Sequence, residues 1–237
     1  MRKFLLSGLA AATLLFTYSC NSTNNDSAAN EGGNAEAQQE ELNEVAESST
    51  PALAFDPASL PENPMFDIKT TKGTIRIKLY EDTPKHKANF IKLASERFFD
   101  GILFHRVIDG FMIQTGDPNT RNASLEDQNA VQSFGQGGPG YTIPAEFITA
   151  HKHIKGALAA ARKGDAANPE KASSGSQFYL VQDAATCKQL DGAYTVFGET
   201  VSGLDIIDAI AKVPTGRQKR DLPNEPIKII SVLPVAE

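Results

Sequence analysis

Short segments in which apolar and polar residues alternate recur along the chain from Met65 onwards, and this pattern limits the fold more than any other feature. Phe66 to Thr70 and Thr74 to Leu79 both alternate with the two-residue period of a half-buried β-strand. Lys72-Gly73 lies between them and has the composition of a hairpin turn. The sequence therefore predicts a domain rich in short antiparallel strands.

Two segments have the three- and four-residue spacing of an amphipathic helix, and they stand far apart in the chain. The first follows Thr83-Pro84, an N-cap and a proline at the first helical position, and its predicted apolar face is Ala88, Ile91, Ala94 and Phe98. The second runs from Gly203 to Val213. Many short strands, ending with Ile227 to Leu233, and two distant helices predict a mainly β fold, a closed antiparallel barrel capped by two α-helices.

The first twenty residues have the layout of a secretory signal. Arg2 and Lys3 precede an apolar run, Phe4 to Phe16, which is too short to cross roughly 30 Å of hydrocarbon. The run ends in Thr17-Tyr18-Ser19-Cys20, which resembles the lipobox of bacterial lipoproteins, in which the cysteine is acylated and becomes the new N-terminus. We therefore predict a lipoprotein signal peptide at 1–19 and a lipid on Cys20. The protein is then exported and anchored to a bacterial membrane, facing the periplasm. Ordinary secretion, with Cys20 incidental, is the alternative.

Residues 20–64 hold too few apolar side chains to offset the entropy cost of ordering the chain. Every charged residue from 21 to 64 is acidic, and the stretch closes with several prolines. Because repulsion between carboxylates extends such a chain, we predict a disordered tether. The remaining residues, 65–237, are close to neutral and offer no electrostatic basis for binding nucleic acid.

The cysteines and histidines do not suggest a metal centre. Cys20 and Cys187 could form a disulfide, but a lipid on Cys20 would leave Cys187 as a free, partly buried thiol, which is the interpretation we favour. The four histidines are scattered, and the pair His151-x-His153 is weak evidence for a metal ligand set. We expect no metal and no cofactor.

Three blocks carry the most specific information in the chain. They are Phe104 to Pro118 (FHRVIDGFMIQTGDP), Ser174 to Tyr179 (SGSQFY) and Leu190 to Gly198 (LDGAYTVFG). In this order they resemble the signature and the two further binding strands of the cyclophilin-type peptidyl-prolyl cis-trans isomerases, over about residues 66 to 234. The resemblance implies that 65–237 form an eight-stranded barrel with a helix closing each end, and that a groove on its outer face binds Xaa-Pro peptides.

The resemblance also implies roles for ten residues. Arg106 is the expected catalytic residue. The expected substrate-binding residues are Phe111, Met112, Gln114, Ala161, Arg162, Gln177, Tyr179, Leu190 and Tyr194. Among these, Phe111, Met112, Tyr179 and Leu190 would line the proline pocket, with the Tyr179 hydroxyl at its rim. Gln114 would bind the substrate backbone, and Ala161 and Arg162 would face the residue that precedes proline.

Each assignment has a structural alternative. Arg106 could form a surface salt bridge, and Gln114 could be a polar residue on an exposed strand face. The apolar residues could be ordinary core, an interpretation that is nearly as good for Leu190. The polar loop Lys163 to Ser173 could border the substrate path or be a tolerated surface insertion.

The chemistry of prolyl isomerisation explains why an arginine is useful here. Rotation about the prolyl peptide bond faces a barrier of about 18–20 kcal/mol because the C–N bond is partly double. The twisted transition state has lost this resonance, so its nitrogen is more basic and a fixed donor can stabilise it selectively. An arginine is always charged and carries a rigid set of N–H groups.

Two functions are compatible with these residues. The first is a peptidyl-prolyl isomerase (rotamase) that assists the folding of exported proteins by acting on their unfolded or exposed Xaa-Pro segments. The second is a proline-binding module or holdase chaperone with little catalysis. Arg106, Phe111 and Gln114 favour the enzyme, since a binding module has no need of the cation. We expect a monomer.

Overall fold

The computed structural model describes residues 52–216 and 221–235. The predicted signal peptide, Cys20 and residues 20–51 of the predicted tether lie outside the described residues. Within the described ranges, no helix combines the length and hydropathy that a membrane span requires.

Eight of the strands form one antiparallel sheet, in the order β12-β1-β2-β9-β6-β8-β4-β3, and the others form the pairs β5–β7 and β10–β11. The strands are β1 Met65–Thr70, β2 Gly73–Leu79, β3 Arg106–Ile108, β4 Met112–Thr115, β5 Thr142–Ile143, β6 Ala157–Ala160, β7 Ser173–Ser174, β8 Phe178–Val181, β9 Val196–Ser202, β10 Thr215–Gly216, β11 Leu222–Pro223 and β12 Ile229–Pro234. The predicted hairpin is β1–β2, with Thr70 opposite Gly73.

The sheet curls into a half-barrel, so the predicted closed barrel is wrong. Its edge strands, β12 and β3, form no ladder with each other in the described residues. The chain before β3 reaches β12 instead: Leu103 forms an isolated bridge with Lys228, and Gly101 N–H donates to Ile229 O at 2.8 Å. β3 itself turns to another segment, because Val107 N–H donates to Asp221 O at 2.9 Å. The segment before β3 and β3 itself thus pair with different parts of the chain, and no ladder joins β3 to β12 in the described residues.

In the part of the chain that the structure describes, four α-helices accompany the sheet: α1 Pro84–Ser95, α2 Gln128–Ser133, α3 Ala184–Cys187 and α4 Leu204–Ala211. Single 3-10 turns occupy Pro57–Ser59, Pro118–Thr120 and Lys188–Leu190. The two predicted helices are α1 and α4, and both pack on the core, through Phe90 and Leu93 and through Ile207 and Ile210.

The start of α1 is stabilised from a distance. Thr83 stands at the N-cap, but its side chain makes no cap bond. The Glu146 carboxylate instead accepts the N–H groups of Lys85 and His86, each at 3.0 Å. The buried face also differs from the predicted one, since Ala88 is exposed whereas Phe90 is buried.

The main core fills the concave side of the sheet. It includes a group of contacting phenylalanines, Phe66, Phe90, Phe99, Phe178 and Phe197. Burial of each such side chain contributes roughly 1.5–3 kcal/mol.

Residues 52–64, which the sequence assigns to the tether, are packed on this domain. Phe55 and Leu60 contact the core, and Ala54 N–H donates to Ser95 O at 2.7 Å. The domain therefore extends to the N-terminal side of Met65, because two apolar side chains in a polar stretch are enough to anchor it.

Candidate active site

The candidate site lies on the outer face of the sheet, and strand alternation explains how. Successive side chains of a strand point to opposite faces. In β8, Phe178 and Leu180 enter the main core, whereas Tyr179 and Val181 enter a second apolar cluster. Met112 of β4 joins this second cluster, so the outer face of the sheet also carries packed apolar side chains.

A groove opens over this second cluster and contains nine of the ten predicted residues. Its lining is Arg106, Phe111, Met112, Gln114, Ala161, Arg162, Tyr179, Leu190 and Tyr194. The space amounts to about 110 Å³, enough for several water molecules. Four separate parts of the chain, 106–114, 161–162, 179 and 190–194, are therefore brought to one concave surface that is apolar at its base and polar around its edge.

Arg106 stands at the end of the groove, on the edge strand β3. It pairs with Gln114 across the β3–β4 ladder, and its guanidinium carbon lies 5.8 Å from the centre of the Phe111 ring. None of the carboxylates in the described residues lies within salt-bridge distance of it. The surface salt bridge considered from the sequence is thus absent there, and the guanidinium N–H groups are available to a ligand.

Gln177, the tenth predicted residue, lies behind the groove. It is buried, and its Oε1 accepts a hydrogen bond of 3.1 Å from Gln114 Nε2. Its own Nε2 donates to Gly137 O at 2.7 Å. Gln177 therefore orients Gln114 and is not among the residues that line the groove.

His105 is a buried neighbour of the same pair of glutamines. Its Nε2 lies 3.4 Å from Gln114 Nε2, and burial lowers the pKa of His105 to about 4. The imidazole is therefore neutral near pH 7, so it can accept the Gln114 N–H.

Tyr179 differs from its predicted position in one respect: its hydroxyl is buried, not at the rim. The hydroxyl oxygen lies 2.9 Å from His153 Nε2, and His153 Nδ1 lies 2.8 Å from Asp191 Oδ1. A carboxylate only accepts, so Nδ1 carries the proton and Nε2 accepts the Tyr179 O–H. Burial lowers the pKa of His153 and raises that of Tyr179, which agrees with two neutral groups.

We call the hydrogen-bonded series Tyr179–His153–Asp191 the relay. It was missed from the sequence, where His153 was considered only with His151. The structure separates the two histidines. His151 Nε2 lies 2.7 Å from Asp82 Oδ1, and its ring stacks on Tyr80 at a centroid distance of 3.9 Å. The one sequence signal for the relay was that Asp191 directly follows the groove residue Leu190.

Arg162 is committed to the protein itself. It donates to Ala193 O at 2.8 Å, to Lys163 O at 2.9 Å and to Asp165 Oδ1 at 2.6 Å, and its side chain is 4% exposed. Its guanidinium carbon lies 4.3 Å from the centre of the Tyr194 ring. Arg162 thus supports Tyr194 and anchors the start of the loop that follows it.

Cys187 packs beneath the groove as a buried thiol that forms no disulfide with any described residue, and Cys20, the other cysteine of the chain, lies outside them. The Cys187 Sγ lies 3.4 Å from Phe111 O. Burial raises the pKa of the thiol to about 12, so it is protonated and unreactive near neutral pH. Within the described ranges, no cluster of three His, Cys, Asp or Glu side chains could bind a metal ion.

Comparisons with known proteins agree on one family. The family model described as "Cyclophilin type peptidyl-prolyl cis-trans isomerase/CLD" matches residues 65–233. A peptidyl-prolyl cis-trans isomerase of Synechococcus elongatus is 40% identical over 134 residues, covering 56% of this chain and 77% of the relative. Peptidyl-prolyl cis-trans isomerase B of Bacillus subtilis is 42% identical over 133 residues, covering 55% and 78%.

A solved structure extends the similarity to the fold. The cyclophilin type peptidyl-prolyl cis-trans isomerase cgd2_1660 of Cryptosporidium parvum superposes with a TM-score of 0.62 at 26% identity, covering 74% of this chain and 99% of that one.

Proposed function

This chain is a peptidyl-prolyl cis-trans isomerase of the cyclophilin family. We propose that it accelerates rotation about Xaa-Pro bonds by non-covalent electrostatic stabilisation of the twisted amide. In this mechanism Arg106 donates a hydrogen bond toward the prolyl nitrogen. The observation that carries the proposal is the Arg106 guanidinium at the edge of an apolar groove, where it pairs with no carboxylate of the described residues.

The energetics favour this role for Arg106. A planar amide nitrogen is a poor acceptor, whereas the nitrogen of the twisted amide has regained its lone pair. A donor held in place before the reaction therefore stabilises the transition state more than the ground state. Arg106 is held by its strand pairing with Gln114 and by its contact with the Phe111 ring.

The groove provides for the rest of the substrate. Phe111, Met112 and Leu190 offer apolar contacts to a proline ring, and Tyr179 closes the base between them. Gln114, oriented by Gln177, can bond the peptide backbone. Ala161 faces the residue that precedes proline, at the opposite side of the groove from Arg106. No step requires a nucleophile, a metal or a cofactor.

The proposal extends to the setting in which the enzyme acts. We infer that the chain is exported, carries a lipid on Cys20, and assists the folding of exported proteins as a monomer facing the periplasm. The support is the signal-like segment before Cys20 and the acidic, proline-containing stretch that follows it.

Exchange NMR on a peptide containing Ala-Pro tests the mechanism, because it measures cis–trans interconversion without a coupled protease. The full-length chain in detergent should accelerate exchange. Arg106→Ala should lower kcat/KM by about a hundredfold or more, since loss of one preorganised donor costs roughly 2.7–4 kcal/mol. The matched control is Arg76→Ala, which removes a half-exposed arginine paired with Asp67 on β1.

Arg76→Ala should retain wild-type turnover. Near wild-type turnover in a folded Arg106→Ala protein would remove Arg106 from the mechanism. A wild-type chain that binds the peptide without accelerating exchange would instead favour the binding module or holdase.

A further inference from the structure

A second cavity adjoins the groove at the Arg106 end. It is lined by His105, Arg106, Gln114, Val131, Phe134 and Gln136, and its volume is about 390 Å³, against about 110 Å³ for the groove. We call it the α2 cavity, after the helix that carries Val131. It shares Arg106 and Gln114 with the groove, so the two spaces adjoin at these residues.

Two aspartate side chains, Asp117 and Asp127, anchor the segment that forms one wall of the α2 cavity. Asp117 accepts hydrogen bonds from Asn119 N–H at 2.8 Å and from Gly135 N–H. A Cβ at Gly137 would overlap the Asp117 carboxylate, so glycine is required there. Asp127 caps α2 by accepting the N–H of Asn129 at 2.9 Å. These hydrogen bonds and the required glycine therefore fix the position of this wall in the fold.

The wall formed by Val131 and Phe134 favours an apolar occupant. Phe134 is buried against Leu103 and Leu222, and Val131 packs on this group, so one wall is apolar. Arg106, which has no carboxylate partner among the described residues, also lines the cavity, and its positive charge disfavours lysine or arginine side chains. Cavities of roughly 300–1,000 Å³ with an apolar wall and a few polar groups are typical ligand sites.

The strand order gives the direction in which a peptide would enter. The groove crosses β6, β8, β4 and β3 in that order, with Ala161 directly after β6 and Arg106 on β3. In the proposed function the residue before proline faces Ala161. The residues after proline must then leave the groove past Arg106, where the α2 cavity opens.

We propose that the α2 cavity binds an apolar side chain from the residues that directly follow proline, and so makes the enzyme selective for Xaa-Pro-apolar segments. This inference rests on the proposed function. It adds a sequence preference that no residue of the groove provides, since the groove itself has room for little more than the proline ring.

Binding of labelled peptides to the full-length chain, followed by fluorescence anisotropy, tests the preference. The probes are Ala-Ala-Pro-Leu-Leu amide, Ala-Ala-Pro-Ser-Ser amide, Ala-Ala-Pro amide and Leu-Leu-Ala-Pro amide. Burial of one leucine predicts that the first peptide binds about tenfold more tightly than the second. Equal affinity for these two, or an equal gain from leucines placed before the proline, would overturn the proposal.

Variants on α2 locate the effect. Val131→Asp should reduce the leucine-to-serine preference from about tenfold to about twofold, whereas Gln132→Asp should retain it. Gln132 is an exposed neighbour on the same helix that does not line the cavity. If circular dichroism shows that Val131→Asp is unfolded, Val131→Phe, which fills the cavity, replaces it. Retention of the full preference in a folded Val131 variant would contradict the proposal.

Exchange NMR with the same peptides separates this inference from the proposed function. A preference for leucines after proline without any accelerated exchange would contradict the isomerase mechanism and leave the cavity assignment standing. Accelerated exchange without the preference would support the isomerase mechanism and contradict the cavity assignment.

Discussion

The hydroxyl of Tyr179 lies 2.9 Å from Nε2 of His153, inside the domain. His153 in turn bonds Asp191 through both its ring and its backbone N–H. Partial burial raises the pKa of the Asp191 carboxyl, but the two hydrogen bonds from His153 lower it, and the net result is a lowered pKa. The relay therefore ties the base of the groove to the residue that follows Leu190 and fixes two walls relative to each other.

Removal of the Tyr179 hydroxyl should affect stability more than catalysis. Tyr179→Phe retains the ring that faces the groove but leaves His153 Nε2 buried without a partner, which costs about 1–3 kcal/mol. We expect this loss in urea unfolding, with kcat/KM within about threefold of wild type. Tyr194→Phe is the matched control, because no described residue bonds its hydroxyl, and its stability should change little. Equal stability of Tyr179→Phe and wild type would contradict the relay.

Replacement of Arg162 should loosen the loop Lys163 to Ser173. Arg162→Ala removes three hydrogen bonds and the stacking on Tyr194, so cleavage after Glu170 by a glutamate-specific protease should accelerate about tenfold or more. Arg162→Lys should not restore protection, because an ammonium lacks the planar set of donors. Asp165→Asn, which removes only an exposed partner, should have the smaller effect. Unchanged cleavage in Arg162→Ala would contradict this role.

Acid should destabilise the domain partly through His105. Its pKa is about 4 in the folded protein and about 6.5 in the unfolded chain. Between these two pKa values the unfolded state binds the proton and the folded state does not. The contribution of His105 to the free energy of unfolding is therefore complete above about pH 6.5 and is lost as the pH falls toward 4. The full shift corresponds to roughly 3 kcal/mol. Burial also lowers the pKa values of His86 and His153, which act in the same direction.

Urea unfolding at pH 7 and pH 4.5 measures this effect. The free energy of unfolding of His105→Gln should fall by about 2 kcal/mol less than that of wild type over this interval. An identical fall in both proteins would show that His105 is not responsible.

Cys20→Ser should release the protein from membranes. Acyl chains contribute about 0.8 kcal/mol per buried CH₂, and the described residues contain no membrane-spanning helix. Fractionation of cells should move the variant from the membrane pellet to the soluble exported fraction, while Cys187→Ser should remain in the pellet. A Cys20→Ser protein that still pellets, or mass spectrometry of an unacylated Cys20, would refute lipidation.

The residues of the groove could be predicted because their identity is tied to short blocks of sequence. Arg106, Phe111 and Gln114 lie within one block, and strand alternation alone directs neighbouring side chains to opposite faces. Hence the residue pattern by itself determined a strand-rich domain, and the resemblance of these blocks to a known family predicted nearly all of the groove lining.

Only the tertiary structure decided which distant groups meet. Alternation shows that one face of a strand is buried, but it carries no information on strand order or on the partner of each edge. A closed barrel was therefore predicted, whereas the edge strands β3 and β12 form no ladder with each other in the described residues. The cap of α1 comes from Glu146, sixty positions away, and His153 meets Tyr179 only because β8 and the segment before β6 are neighbours in the sheet. Such contacts depend on non-local packing, which local periodicity cannot encode.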